Sequence, residues 1–223
     1  MLMSYIIWQS LALGVLILVM GLTGAILLVA INREEDREET GLQKKLYLVP
    51  LDEVSRGLAD WLGSKLSSKF RFKINTSMVA KLPEESYSAS RDSYFSSIIL
   101  NKLQFLKASE DEYILAVTEE DLFTPNTDYV FSSSDGLAGV AIVSAQRLKP
   151  EFYGLPQSDE VVRMRAMKRA VHEIGHLLTL DNCDENSCVM YSSKTISDLD
   201  YQSDKFCHGC KLELTLPVKV PKT

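Results

Sequence analysis

Apolar and polar positions along the chain predict short strands interspersed with helices. Two short apolar runs, Leu46–Leu51 (LYLVPL) and Glu112–Val117 (EYILAV), are typical of buried strands, and Phe70–Ile74 alternates with the period of a strand. Asp52–Phe70 and Ser93–Leu106 follow the longer period of helices. Strands mixed with helices before a long C-terminal helix predict an α+β or α/β-like fold.

Polar stretches mark the predicted connections between these elements. Ser77–Asp92 contains Pro83 and several serines and is typical of a loop. Farther along, Tyr129–Phe131 and Val140–Val143 are predicted to be two strands on either side of a polar loop that begins SSSDG.

The strongest helical pattern follows Pro150 and Pro156. Ser158 is a suitable N-cap residue, and Asp159 and Glu160 suit the positive end of the helix dipole. Apolar residues recur on one face of this helix: Val161, Met164, Met167, Val171, Ile174 and Leu178. The stripe predicts that this face of the helix packs against the core.

The N-terminal region is predicted to be a membrane anchor. No charged residue occurs from Tyr5 to Ile31, and a helix needs about 20 apolar residues to cross the hydrocarbon core. Tyr5 and Trp8 lie at one end of the run, where aromatic rings favour the membrane interface. A cleaved signal peptide is the alternative, but the run is long for one and no Lys or Arg precedes it.

The distribution of basic residues predicts the orientation of this anchor. Arg33, Arg37, Lys44 and Lys45 follow the span, whereas its N-terminal flank has no Lys or Arg. The positive-inside rule therefore predicts an N-terminus outside and a domain in the cytosol. The expected layout is a tail (1–4), a transmembrane helix (5–31), a charged linker (32–45), one domain (46–216) and a second tail (217–223).

Composition and charge exclude one class of partner. The chain is 46% hydrophobic and 24% charged, as expected for a globular protein, and its net charge is −6. Nucleic-acid binding requires a concentrated basic face. The lysines and arginines are scattered among acidic residues instead, so no nucleic-acid partner is expected.

The four cysteines are Cys183, Cys188, Cys207 and Cys210, spaced as C-x4-C followed by C-x2-C. Two disulfides are one interpretation of an even count. The C-x2-C spacing and the predicted reducing compartment favour the other interpretation, a zinc ion held by four thiolates.

The long helix carries an H-E-x-x-H motif formed by His172, Glu173 and His176. Residues four apart face the same side of a helix, so the two imidazoles are placed to share one Zn²⁺. Zinc lowers the pKa of a bound water towards 7, and the adjacent Glu173 is placed to accept its proton. Two surface histidines beside an ordinary glutamate are the alternative.

The residues that follow resemble one family of zinc metalloproteases. After the helix motif come C-x4-C-x-M, with Met190 as its methionine, and FCHGC at 206–210. Together with LVPL at 48–51, DLFTPNTDYVF at 121–131 and AIVSAQRL at 141–148, this pattern resembles the archaemetzincin family over roughly residues 46–211.

The resemblance implies a metzincin-like fold, a mixed twisted sheet packed against an active-site helix, with a structural zinc near the C-terminus. His172 and His176 would bind a catalytic zinc, Glu173 would be the general base, and Met190 would form the methionine turn beneath the metal. Gly139–Ser144 would be the sheet edge along which a peptide substrate lies. The structural zinc would be held by Cys183, Cys188, Cys207 and Cys210.

Two positions depart from the family pattern. Thr179 replaces a glycine that would turn the chain out of the helix, and Asn182 replaces the third histidine. The third zinc ligand is therefore open between Asn182 in register and the neighbouring carboxylate of Asp181. His208 lies between two cysteines and is expected to face solvent.

Because of these departures, two functions are compatible with the sequence. The first is a membrane-anchored zinc peptidase that hydrolyses peptide bonds with zinc-activated water and Glu173, and that holds two zinc ions. The second is an inactive pseudo-peptidase, stapled by the cysteine zinc, that binds a peptide or protein partner.

Overall fold

A computed structural model describes residues 44–52, 55–70, 72–76 and 78–215, which contain nine strands and five α-helices. The strands are β1 (Lys45–Pro50), β2 (Lys73–Asn75), β3 (Tyr87–Ser88), β4 (Ser93–Phe95), β5 (Glu112–Thr118), β6 (Leu122–Thr124), β7 (Thr127–Val130), β8 (Ser132–Asp135) and β9 (Val140–Ser144). The helices are α1 (Arg56–Lys69), α2 (Ser96–Leu103), α3 (Asp159–Leu177), α4 (Ile196–Tyr201) and α5 (His208–Thr215).

The main sheet has five strands in the order β2-β1-β5-β9-β8. The first four run parallel, and β8 pairs antiparallel with β9. Every residue of β5 and β9 is buried, because helices cover both faces of the sheet. This explains why both strands are almost continuously apolar in the sequence.

Two hydrophobic cores form on the opposite faces of this sheet. On one face Leu115 and Val117 of β5 pack with Leu62 of α1 and Ile174 of α3. On the other face the alternate β5 residues, Ile114 and Ala116, pack with apolar residues of α2. The alternation follows from the two-residue period of a strand. As a result, α3 lies against the sheet on the side of the larger core.

A second, smaller sheet has the order β3-β4-β6-β7. Its inner strands β4 and β6 pair in parallel, and β3 and β7 flank them antiparallel. The mixed α+β architecture predicted from the sequence is therefore confirmed.

Several predicted elements are confirmed and two are wrong in detail. Leu46–Leu51 and Glu112–Val117 correspond to β1 and β5. The predicted helix Ser93–Leu106 begins instead with strand β4, because Tyr94 and Phe95 pair with β6 before the chain becomes helical. The predicted loop Ser77–Asp92 contains a short 3₁₀ turn and strand β3.

The edge of the main sheet is not where the sequence predicted it. Val140–Ser144, within the predicted edge segment Gly139–Ser144, is the internal strand β9, which pairs with both β5 and β8. The edge is β8, formed by SSSD, which we expected to be a loop. Polar residues suit a strand that has a partner on one side only, whereas the fully buried β9 needs apolar residues on both faces.

The predicted transmembrane segment 5–31 lies outside the described residues. Among the helices that the structure does describe, none has the length and apolar character needed to cross a bilayer. The expected boundaries of the linker and tails also fall largely outside this part of the chain and stay predictions.

Candidate active site

Helix α3 presents the predicted motif. Ser158 caps its N-terminus by accepting a hydrogen bond from the Val161 backbone N–H at 3.4 Å, as expected. The helix runs without interruption from Asp159 to Leu177. His172 is buried and His176 is partly exposed on the side of α3 that faces a groove.

The two imidazoles of the motif converge. Their Nε2 atoms lie 3.0 Å apart. His172 Nδ1 lies 2.8 Å from the Val189 carbonyl oxygen, and His176 Nδ1 lies 2.8 Å from the Leu180 carbonyl oxygen. A carbonyl oxygen only accepts hydrogen bonds, so both Nδ1 atoms carry the proton and both Nε2 atoms present lone pairs.

These facing lone pairs suit a metal ion. Burial of the ring, with a smaller effect from the Arg169 charge, lowers the pKa of His172 to about 3, so that imidazole is neutral at pH 7. Two nitrogens bound to one tetrahedral zinc at about 2.0–2.1 Å lie about 3.3 Å apart, close to the observed separation. Hydrogen bonds from the outer nitrogens to carbonyl oxygens are typical of zinc-binding histidines. The donor pair therefore fits zinc.

The end of α3 holds His176 in place. Leu180 N–H donates to Gly175 O at 3.0 Å and Thr179 N–H donates to His176 O at 2.9 Å, which together form a Schellman motif. This motif places Thr179 in the left-handed region with φ of 71°, where a residue other than glycine costs about 1–2 kcal/mol. The same turn supplies the Leu180 carbonyl oxygen that His176 contacts. The chain keeps the turn that the family glycine favours, despite this local strain.

Gly175 brings Met190 against the helix. A Cβ atom at Gly175 would overlap the Met190 sulfur and lie 3.2 Å from the Phe206 ring. Met190 is fully buried, and its backbone oxygen accepts a hydrogen bond from Cys183 N–H at 2.9 Å. Met190 therefore packs against the helix at Gly175, next to His176 in the chain, and its assignment to a methionine turn stays a prediction.

Glu173 is held in a buried polar contact that the sequence did not predict. Its Oε1 accepts hydrogen bonds from Ser132 Oγ at 2.5 Å and from Arg169 Nη2 at 3.1 Å. Burial by itself raises the pKa of the Glu173 carboxyl, but the electrostatic effects of His172, Arg169 and His176, together with the Ser132 hydrogen bond, outweigh it and hold the pKa below the ordinary value. Glu173 is therefore a carboxylate at neutral pH.

The structure does not bring an acidic third ligand to the two histidines. Asp181 and Asn182 are both exposed and line the groove. Within the described ranges, only one group of three or more His, Cys, Asp or Glu residues has all its ligand atoms within 4.8 Å of one another, and it consists of cysteines. Asp181 does not group with the imidazoles in this geometry, and the choice of third ligand between Asn182 in register and Asp181 after a shift of the turn stays a prediction. His208 is exposed, as expected.

The four cysteines form a cluster suited to zinc. Cys183 Sγ lies 3.8 Å from Cys207 Sγ, and Cys188 Sγ lies 3.8 Å from Cys210 Sγ. Sulfurs bound to one tetrahedral zinc at about 2.3 Å lie about 3.8 Å apart, whereas a disulfide requires about 2.05 Å. All four thiols are free, so the structure favours the zinc interpretation over disulfides.

The cysteine cluster supports the histidine site through one short segment. Val189, whose carbonyl oxygen contacts His172, lies between Cys188 and Met190. The Val189 N–H donates to Lys205 O at 3.0 Å, which ties this segment to the chain that leads to Cys207. A metal on the cysteines would therefore also fix the orientation of His172.

A groove runs past these residues. Its lining includes edge strand β8 and residues 178–182 and 192–194. Ser132 begins β8 and contacts Glu173, although the two residues are 41 positions apart. Nothing in the spacing of the sequence indicated that Ser132 would contact Glu173. Arg169 lies four residues before Glu173 on a predicted helix, so that neighbour was foreseeable.

Comparisons with known proteins identify the family of this chain. The model of peptidase family M54 matches residues 40–216. An archaemetzincin from Methanocaldococcus jannaschii is 33% identical over 172 residues, which cover 76% of this chain and 92% of that protein. An archaemetzincin from Pyrococcus furiosus is 31% identical over 179 residues, covering 78% of this chain and 93% of that protein.

Solved structures show the same likeness. The crystal structure of a zinc-dependent peptidase from Methanocorpusculum labreanum has a TM-score of 0.69 at 31% identity and covers 76% of this chain and 100% of that one. The archaemetzincin structure from Methanopyrus kandleri has a TM-score of 0.68 at 30% identity and covers 78% of this chain and 95% of that one. The chain therefore belongs to peptidase family M54, the archaemetzincins, which are zinc metallopeptidases.

Proposed function

We propose that this chain hydrolyses peptide bonds at the His172–His176 pair, with Glu173 as the general base. The observation that carries this proposal is the pair of Nε2 lone pairs facing each other at 3.0 Å, beside a buried carboxylate. A neutral, buried His172 whose Nε2 faces the Nε2 of His176, with both outer nitrogens held by carbonyl oxygens, is the arrangement that a shared zinc ion requires.

The histidines and Glu173 would have different roles in the reaction. Zinc, when bound by the two imidazoles, supplies a Lewis acid and a water of lowered pKa. Glu173 accepts a proton from the attacking water and then delivers it to the departing amine. Because Glu173 is ionised and buried, it is ready to accept that proton without first losing one.

Strand β8 is proposed to bind the substrate. It pairs with β9 along one side, and no strand among the described residues pairs along its other side. An extended peptide that adds to this edge would form backbone hydrogen bonds with it. Its scissile bond would then lie near Glu173, because Ser132 at the start of β8 contacts that carboxylate. The substrate is accordingly proposed to be an extended peptide or protein segment.

The proposal is tested by counting metal ions. We expect two zinc ions per purified chain, one of them removed by a mild chelator together with peptidase activity, because two imidazoles and Asn182 form a weak site. Asn182→His is expected to raise the affinity of this weaker zinc by about 10- to 100-fold, the range that changes around metal sites commonly produce. Competition with a zinc-binding dye measures both quantities.

A different count would contradict this expectation. A single zinc that is lost only when cysteines are replaced, with no hydrolysis of peptides at saturating zinc, would identify the pseudo-peptidase. His208→Ala is the matched control, since this exposed histidine is not expected to change either zinc.

We also propose that residues 5–31 anchor the chain in a membrane, with the N-terminus outside and the domain cytosolic. The uncharged stretch and the basic residues after it support this arrangement. In sealed right-side-out vesicles the domain is expected to resist added protease until detergent is supplied. Digestion of the domain before detergent, or its release from membranes by carbonate washing, would contradict the proposal.

A further inference from the structure

Ser132, Arg169 and Glu173 form a closed triangle of hydrogen bonds beside the two histidines. Ser132 Oγ donates to Glu173 Oε1 at 2.5 Å and accepts from Arg169 Nε at 2.8 Å. Arg169 Nη2 completes the triangle by donating to the same Oε1 at 3.1 Å. All three residues are buried, so solvent does not screen these contacts.

The triangle engages only one oxygen of the Glu173 carboxylate. Both hydrogen bonds fall on Oε1, and within the described part of the chain none is found on Oε2. A glutamate side chain has three rotatable bonds, and fixing one carboxylate oxygen from two directions removes most of that freedom. The second oxygen is then left to exchange a proton.

We propose that Ser132 and Arg169 are positioning residues, which hold Glu173 by Oε1 so that Oε2 serves as the base. This inference rests on the proposed peptidase function. Ser132, the first residue of edge strand β8, would then orient the general base in addition to any contact with the substrate backbone. The general base of helix α3 is thereby aligned by the strand along which the peptide would lie.

The burial of Arg169 supports a functional role for the triangle. A buried ion pair commonly stabilises a fold no better than apolar residues of similar size. Arg169 Nη1 is buried and has no hydrogen-bond partner among the described residues, so the burial of this guanidinium is incompletely compensated. The Arg169 guanidinium makes well-placed hydrogen bonds to Ser132 and Glu173 but leaves one buried N–H group unpaired. This pattern favours a role in positioning Glu173 over a purely stabilising role.

The decisive comparison uses small changes that keep the fold. Ser132→Ala removes the hydroxyl and is expected to lower kcat about 10- to 100-fold, the loss that a misplaced reacting group commonly causes, with KM within about twofold. Ser132→Thr keeps the hydroxyl and is expected to recover most of kcat. Arg169→Lys keeps the charge but replaces the two separate nitrogens that reach Ser132 and Glu173 with one nitrogen on a flexible chain, so its kcat is also expected to fall.

The variants are assayed as zinc-loaded full-length chains with a quenched fluorescent peptide library. The zinc content and the thermal unfolding midpoint of each variant are measured beside its kcat and KM, and a lower kcat with both unchanged is the expected result. Arg163→Lys, an exposed change on the same helix, is the matched control and is expected to keep wild-type kcat. If Ser132→Ala does not fold, Arg169→Lys and Ser132→Thr decide the question.

The possible failures are distinguishable. If folded Ser132→Ala and Arg169→Lys both keep wild-type kcat while Glu173→Gln is inactive, the positioning role is wrong and the peptidase function stands. If the same variants lose stability in proportion to activity and KM, the triangle is only structural, which also overturns the inference. If Glu173→Gln cleaves peptides as well as the wild type, the proposed function itself fails.

Discussion

Glu173→Gln is expected to lower kcat for peptide hydrolysis by about 100- to 10,000-fold, the contribution of a well-placed general base. The amide has nearly the shape of the carboxylate but cannot accept a proton from the attacking water. Substrate binding is expected to persist, because β8 would hold the peptide through its backbone. Steady-state kinetics with a fluorogenic peptide separate the loss of kcat from the nearly unchanged KM.

Glutamine is a better probe here than alanine. Arg169 is buried against Glu173, and removing one partner of a buried ion pair costs about 3–5 kcal/mol. Glu173→Ala would therefore confound lost chemistry with lost stability. The glutamine oxygen still accepts hydrogen bonds from Ser132 and Arg169, which reduces that cost. Two zinc ions and a near-normal unfolding midpoint would confirm that the variant is folded, and hydrolysis at the wild-type rate would disprove the assigned role.

Cys188→Ser is expected to cause the largest loss of stability. Structural zinc binds small domains with about 10–16 kcal/mol of apparent free energy, and that free energy contributes to folding. Loss of one thiolate from the cluster is therefore expected to exceed the roughly 2–5 kcal/mol of a large truncation in an apolar core. Chemical denaturation of the variant and of the wild type measures the difference.

The same substitution is expected to weaken the distant histidine site. Val189 follows Cys188 directly, and its carbonyl oxygen holds His172 Nδ1 at 2.8 Å. When the cysteine zinc is lost, this segment is released and His172 loses its fixed orientation. Zinc content should then fall from two ions to fewer than one per chain, whereas Ser187→Ala, an adjacent change outside the cluster, should keep both. Retention of two zinc ions at wild-type stability by Cys188→Ser would refute this coupling.

Local sequence patterns predicted the parts of the site that one element builds by itself. The four-residue spacing of His172 and His176 brings them together on any α-helix, and Ser158 caps that helix as its position indicated. The apolar runs of β1 and β5 were equally informative because both strands are buried on two faces. Thr179 stands where the family pattern has a turn glycine, and its φ of 71° shows that the chain keeps that left-handed turn.

Longer-range pairing decided what the local patterns could not show. Ser132–Asp135 is a strand only because β9 supplies its hydrogen-bond partners, since serine and aspartate have little strand preference of their own. Because of the same pairing, β8 is the edge strand and Val140–Ser144 lies inside the sheet. It also brings Ser132 within hydrogen-bond distance of Glu173.

The sequence by itself determined the chemistry available to this protein: two helix histidines, a glutamate beside them and four cysteines spaced for zinc. Only the tertiary structure decided which oxygen of Glu173 is held, which strand borders the groove and how the cysteine cluster supports His172. The physical reason is that spacing within one helix or turn is set by local backbone geometry, whereas contacts between distant segments depend on how the whole core packs.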